Sequence, residues 1–339
     1  MAERRNEPIK NLQEGDTIQG FALVARREVR QDRSGRDYLD LDLADATGTI
    51  SAKAWWDSKA LQREFKQHSY VAYRGQVKSY RDQLQLVLDD CREATDADRA
   101  FGFDETKLVP TTSYDIDELW ERLEKLLLGQ VKRPVLRRLV GETLAAEGAA
   151  LREHPAAKFI HHAYRGGLLE HVVSMAELAS RICDHYPELD RDLMLVGVLF
   201  HDLGKLRELG AMPANDYTLE GRLVGHVVLG RDLLLQRCAA ILDFPAQLRL
   251  QLEHLVLSHQ GQRDFGAVVE PMTPEAVALH FIDDLDSKLA QLRAARASGG
   301  PVQWHRVLQR YLYFAPPSPD VEEGPTAEPA AVEDVEPEA

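Results

Sequence analysis

The sequence predicts a multidomain chain of α and β class: a small five-stranded β-barrel, then an all-helical domain, then a disordered acidic tail. Three observations carry this reading. Between Asp16 and Leu88, apolar residues recur with period two in short runs broken by turn signals. From Phe159 to about Tyr313 the periodicity is helical almost throughout. After Ala315 the chain is rich in Pro, Glu and Ala, with eight acidic residues and no basic one, a composition that cannot bury a core.

At 339 residues the chain has room for two cores. Its 44% hydrophobic and 28% charged content is that of a globular protein. No apolar run reaches the roughly 18–20 residues that span a bilayer. The segment Met1–Lys10 is too polar for a secretory signal, so a cytoplasmic location and no membrane partner are expected. Cys91, Cys183 and Cys238 are scattered and form no CxxC, which excludes a disulfide framework and a cysteine-based zinc site. The formal charge of −14 owes much to the tail. Residues 1–100 hold 17 basic and 18 acidic side chains, so a nucleic-acid surface there is compatible with the balance.

The strands read as Thr17–Val24, Tyr38–Leu43, Thr49–Trp56, Tyr70–Gln76 and Leu84–Leu88, with a short helical piece at Ser58–Lys66. Five strands with one helix between the third and fourth is the order of an OB-fold barrel. Arg26, Arg27, Arg30, Arg33 and Arg36 cluster around the first hairpin. Lys53, Trp55 and Trp56 lie on the third strand, with Tyr73, Arg74, Lys78, Tyr80 and Arg81 nearby. Cations interleaved with aromatics suit a single-strand groove, where charges track phosphates and rings stack on bases. The expected contacts are Arg26, Arg36, Lys53, Trp55, Tyr73, Lys78 and Tyr80. Alternation puts Trp55 and Trp56 on opposite faces, so at most one stacks from a regular strand.

Residues 93–112 read as a linker. Asp115 and Glu118 resemble a capping box ahead of a helix whose apolar face carries Leu119, Leu123, Leu126 and Leu127. The expected organisation is a barrel over residues 10–95, a linker and helical connector over 96–150, a helical domain over 151–315 and the tail over 316–339.

Chemistry concentrates in the helical domain. The apolar run Leu193–Phe200 delivers His201-Asp202-Leu203-Gly204-Lys205, and His171 and Asp283 lie in two other apolar segments. Burying so many polar groups without a compensating ion is costly. Imidazoles and carboxylates without cysteine suit Mn²⁺, Fe²⁺, Co²⁺, Ni²⁺ or Zn²⁺. His254 and His259 stand about 140° apart on a helix, so both ligate only if the helix ends or distorts between them. Asp283 and Asp286 share a face. Lys205, just past the ligand pair, suits an anionic group such as phosphate.

The ordered set His161-His162-Ala163-Tyr164, Gly166-Gly167-Leu168-Leu169-Glu170-His171, His201-Asp202-Leu203-Gly204-Lys205, Gly225-His226, Leu257-Ser258-His259 and Leu279-His280-Phe281-Ile282-Asp283 resembles the HD-domain metal-dependent phosphohydrolases. Combined with the upstream barrel, it resembles the YhaM-like 3′–5′ exoribonucleases over about residues 10–315. The resemblance implies His171, His201, Asp202 and Asp283 as core metal ligands, with His226, His259 and His254 serving a second position. It implies one or two ions per chain, Mn²⁺ or Co²⁺, and hydrolysis of single-stranded RNA, with single-stranded DNA also admitted. Asp202 would ligate and orient the attacking water, and Lys205 would offset charge on phosphate oxygens. His161, His162 and Arg165, six to ten residues before the first ligand, would either touch the scissile phosphate, His162 foremost, or form a helix-start packing motif. One departure is His259-Gln260, where such proteins often pair two histidines. Exposed apolar helix faces would permit a homo-oligomer. Two other readings stand beside this one: a hydrolase of a small nucleotide or cyclic dinucleotide with a regulatory barrel, and a non-catalytic nucleic-acid-binding protein, against which the intact ligand set argues.

Overall fold

Strand β2, Thr17–Gln31, is long enough to serve two partners, and this turns the sheet back on itself. Its first half pairs antiparallel with β5 (Tyr70–Tyr80), and its second half with β3 (Asp37–Asp45). Strand β3 continues into β4 (Gly48–Ala54), which runs parallel to β6 (Gln83–Glu93), and β6 pairs back with β5. The ring is closed and has OB-fold order. The computed structural model describes residues 3–80, 83–157, 164–210, 212–213, 215–298, 301–305 and 308–315.

Alternation fills the barrel: Leu39, Leu41 and Leu43 of β3, Val71, Tyr73 and Val77 of β5, and Leu86 and Leu88 of β6 all point inward. Between Arg74 and Gly75 the β5–β6 ladder shifts register. A Cβ at Gly75 would lie 2.2 Å from the Val87 carbonyl oxygen, so only glycine allows the two strands to meet there. Several edges differ from the expected ones. β4 stops at Ala54, leaving Trp55 and Trp56 in the turn beyond it, so strand alternation does not govern their directions. The helical piece after them is a single 3₁₀ turn, Lys59–Gln62, capped by Ser58. A short strand β1, Glu3–Arg5, pairs parallel with β2 in a segment too polar to announce itself.

The helical part is built on α4 (Arg191–His201), whose residues Leu193–Phe200 are all buried. A helix surrounded by others needs no polar face, which is why that run reads as uniformly apolar. Around it pack α1 (Ile116–Gln130), α2 (Pro134–Glu153), α3 (Gly167–His185), α7 (His226–Ala239), α8 (Ala246–Ser258) and the first half of α9 (Pro274–Ser298). Helices α1 and α2 contribute Leu119, Leu123, Leu136 and Leu139 to this same core. Two one-turn helices, α5 (Lys205–Glu208) and α6 (Leu219–Val224), link α4 to α7. Among the described residues, no helix is long and apolar enough to cross a membrane.

From Lys288 on the chain forms a unit of its own, in which β7 (Val302–His305) and β8 (Arg310–Tyr313) make an antiparallel hairpin. The expectation of helix up to residue 315 is corrected at this hairpin, where Trp304 and Tyr311 alternate as a cross-strand ring pair 5.0 Å apart. The acidic tail over 316–339 lies outside the described residues.

Candidate metal centre

Five helix ends and faces converge on one buried cluster. His171 comes from the first turns of α3, His201 from the last residue of α4, and Asp202 caps α4. His226 opens α7, His259 caps α8, and Asp283 lies on α9. The side chains sort into two triads, His171–His201–Asp283 and Asp202–His226–His259, each with its ligand atoms within 4.8 Å of one another.

Asp202 joins the triads through its two oxygens. Oδ2 lies 3.4 Å from His201 Nε2 and 3.7 Å from His171 Nε2. Oδ1 lies 3.6 Å from His226 Nε2 and 3.8 Å from His259 Nε2. Gly204 makes this closeness feasible, since a Cβ there would lie 2.0 Å from the His226 carbonyl oxygen and force α5 away from α7.

All four rings are aimed the same way. Nδ1 of His171 donates to Asp286 Oδ2 at 2.8 Å, and Nδ1 of His226 to Glu208 Oε1 at 3.1 Å. His201 and His259 donate Nδ1–H to the carbonyls of Val198 and Val256, at 2.8 and 2.7 Å. An oxygen acceptor fixes one proton on Nδ1, so every Nε2 is turned into the cluster, where its lone pair meets a cation or, in His171, a proton. His171 Nε2 is also 3.3 Å from Asp283 Oδ1 and 3.3 Å from His201 Nε2.

The electrostatics are those of a cation site. Burial lowers the His171 pKa, but hydrogen bonds to Asp283 and Asp286 and the charges of Asp283 and Asp202 raise it to about 10. Burial also works against the Asp202 carboxylate, yet Lys205, His201 and His226 hold its pKa well below the usual carboxylate range. In the second triad, burial and the neighbouring His201 lower His259 to about 4. Lys205 Nζ sits 2.6 Å from Asp202 Oδ2. Asp202 Oδ1, fully buried, has no hydrogen-bond partner among the described residues. A buried oxygen without a partner costs about 1–3 kcal/mol unless something positive meets it. Inward lone pairs and an unmet carboxylate oxygen fit a divalent ion.

His254 is corrected: it lies outside both triads and accepts a hydrogen bond from the Met272 amide at 2.8 Å. Helix α8 stays regular through Ser258, so five residues of rotation carry His254 away from His259. His162, with His161, lies outside the described residues. Arg165 is engaged with Glu153 at the end of α2 rather than with the cluster. Asp286, Glu208 and Gln260 belong to the site and were not among the expected ligands. Asp286 shares a helix face with Asp283, which is a readable signal; Glu208 has none, because α5 is a single turn.

On the barrel, one expected contact is sealed in the core and another is paired with carboxylates. Tyr73 is only 4% exposed and part of the core, because β5 turns Val71, Tyr73 and Val77 inward and Arg74 and Lys78 outward. Arg26 is held by Asp42 at 2.7 Å and by Asp40 at 3.3 Å across the β2–β3 ladder, which raises its pKa further. Arg30 and Arg36 likewise pair with Asp40 and Asp32. The others form a cluster: the Tyr38 and Trp55 rings are 4.8 Å apart, with Lys53 Nζ 5.0 Å from the first and 5.8 Å from the second. The Arg36 guanidinium lies 4.5 Å over the half-exposed Trp56 ring. Trp55, Lys59, Arg74, Lys78, Tyr80 and Gln85 line an adjoining groove of about 660 Å³.

A helical bundle that gathers His…His-Asp…Asp ligands in this way is an HD domain, and the HD-domain family model matches residues 168–288. Over 283 residues the chain is similar to the 3′–5′ exoribonuclease YhaM of Bacillus velezensis, 34% identical over 83% of this chain and 88% of that protein. The YhaM of Bacillus subtilis is 33% identical over 83% and 88%, and that of Shouchella clausii 32% identical over 85% and 88%. The chain belongs to the YhaM family of 3′–5′ exoribonucleases. Among solved structures, the second OB-fold domain of replication protein A from Methanococcus maripaludis is similar at 20% identity and TM-score 0.22, covering 26% of this chain and 92% of that one.

Proposed function

We propose that this chain is a cytoplasmic, metal-dependent 3′–5′ exoribonuclease that takes single-stranded RNA, and also single-stranded DNA, on its barrel and hydrolyses terminal phosphodiester bonds in its helical domain. The observation that carries the chemistry is the pair of triads joined through Asp202, with Oδ1 buried and unmet. His171, His201, Asp283 and Asp202 would hold one ion, and Asp202, His226 and His259 a second, with Mn²⁺ or Co²⁺ the ions favoured by family resemblance. When bound, such ions supply Lewis acidity and lower the pKa of water at the site.

The residues of the chain then have distinct tasks. Asp202 spans both triads and is oriented by Lys205, whose ammonium uses one proton on Oδ2 and has two more to offer an anion. A phosphate oxygen approaching Nζ would meet a cation held in a buried setting, where charge acts strongly. Asp286 and Glu208 keep His171 and His226 in the tautomer that points Nε2 inward. Tyr38, Lys53, Trp55, Lys78 and Tyr80 supply ring faces and cations to a strand without reading base edges. Tethering the strand to the barrel raises its concentration at the helical site.

A time course on 5′-end-labelled RNA and DNA, with Mn²⁺ and with chelator, tests this reading. Progressive shortening from the 3′ end in Mn²⁺ alone is expected. Hydrolysis of small nucleotides or cyclic dinucleotides but not of the oligomer would replace it with the small-substrate reading.

A further inference from the structure

We propose that Gln260 closes the second triad, making Asp202–His226–His259 a weaker, exchangeable divalent-metal position beside a tight one at His171–His201–Asp283. The inference rests on the metal-dependent reading of the site and concerns how its two positions differ.

Gln260 Nε2 lies 2.9 Å from His259 Nε2 and 3.4 Å from His226 Nε2. Both rings already donate through Nδ1, to Val256 and Glu208, so both Nε2 atoms offer lone pairs. Asp202 Oδ1 offers a third acceptor within 4 Å of both. Three acceptors around one point repel unless something positive lies between them. The amide N–H₂ of Gln260 supplies two hydrogens there, one to each ring.

A carboxamide has two unlike ends, and its last torsion is broad and roughly two-fold. Turned over, the same side chain presents Oε1 to the point where the lone pairs meet. Gln260 therefore satisfies the rings by itself and can serve as a neutral oxygen donor when a cation arrives. An entering ion must first break two amide–imidazole hydrogen bonds, which weakens this position. The first triad faces two carboxylates, Asp283 and the Oδ2 side of Asp202, against Asp202 Oδ1 alone in the second. Affinity for divalent ions rises with the number of charged ligands.

The backbone keeps Gln260 at its post. His280 Nδ1 donates to the His259 carbonyl at 3.0 Å, and Gly261 turns the chain at a φ of +80° against the His280 ring. A Cβ at position 261 would lie 2.2 Å from that ring, so the turn fits only glycine and the preceding side chain is directed at the triad.

The test is titration of the full-length chain with Mn²⁺, followed by calorimetry and by the electron paramagnetic resonance signal of free ion. Wild type is expected to show two classes of site that differ roughly tenfold or more in affinity. Gln260→His and Gln260→Glu, which replace the neutral amide by a stronger ligand, should each tighten the weaker class roughly tenfold and leave the tight class in place. Either variant alone carries the comparison. Two equal classes in wild type, or a weaker class unmoved in the variants, would overturn the proposal. His171→Ala separates this from failure of the metal reading. Loss of the tight class keeps that reading, whereas Mn²⁺ binding like wild type in His171→Ala would sink it and this inference together.

Discussion

His171 and Asp286 are joined by a 2.8 Å hydrogen bond between α3 and α9, with Nδ1 on α3 donating to Oδ2 on α9. Ser174 donates to the carboxylate's other oxygen at 2.5 Å. The bond fixes the ring so that Nε2 faces His201 and Asp283, and it makes Asp286 a positioning residue for the first triad.

Asp286→Asn should therefore lower divalent-metal affinity by roughly 10–100-fold while the fold survives. Metal titration measures the loss, and excess Mn²⁺ should restore hydrolysis. A variant with wild-type affinity would show that the ring holds its direction without the carboxylate.

Trp55→Ala should weaken single-strand binding by about 1–3 kcal/mol, the contribution of one base–aromatic stack. The effect should appear in KM for long RNA and leave turnover of the shortest substrates unchanged. Tyr73→Phe, altering a residue sealed in the barrel core, should leave strand binding at the wild-type level. Fluorescence anisotropy with labelled RNA distinguishes the two.

Gly204→Ala should destabilise the helical part by about 1–3 kcal/mol, because the added methyl meets the His226 carbonyl oxygen and the Gly230 backbone. Since that contact sets the distance from Asp202 to His226, the variant should also lose metal at the second triad before the first. Chemical denaturation and metal content check the two halves of this expectation.

The pH dependence of barrel stability has a readable component in Asp98. Its hydrogen bond to Arg92, working against burial and joined by Thr95, depresses its pKa in the folded state. A depressed carboxylate contributes stability that is present above its unfolded pKa of about 3.8 and is lost as pH falls toward the folded value. Asp98→Asn should therefore be less stable than wild type at neutral pH, with the difference shrinking in acid below about pH 4. A constant difference across that range would contradict the assignment.

Much of the candidate centre is legible in the sequence because its physics is local. His201-Asp202 ends an apolar run, and His171 and Asp283 sit among leucines, so each announces a polar group carried into a core. The barrel's strand order was legible for the same reason. What was not legible depends on partners distant in sequence. Arg26 meets Asp40 and Asp42 only through the β2–β3 register, which no local pattern announces. Tyr73 is aromatic, yet strand parity through Val71, Tyr73 and Val77 turns it inward. Glu208 becomes meaningful only when a single helical turn brings it to His226. The strand that alternation extends to Trp56 ends at Ala54, so the turn beyond it sets the directions of Trp55 and Trp56.

The decisive measurement is metal content together with hydrolysis of end-labelled RNA in Asp202→Asn, with Asp202→Ala beside it. Asn keeps the shape of the side chain but removes the carboxylate that both triads share, and Ala removes the side chain altogether. If the two triads form a metal-dependent nuclease site, both variants lose metal from both positions and lose hydrolysis, while the barrel still binds the strand. Unchanged metal content and unchanged hydrolysis in these variants would contradict it.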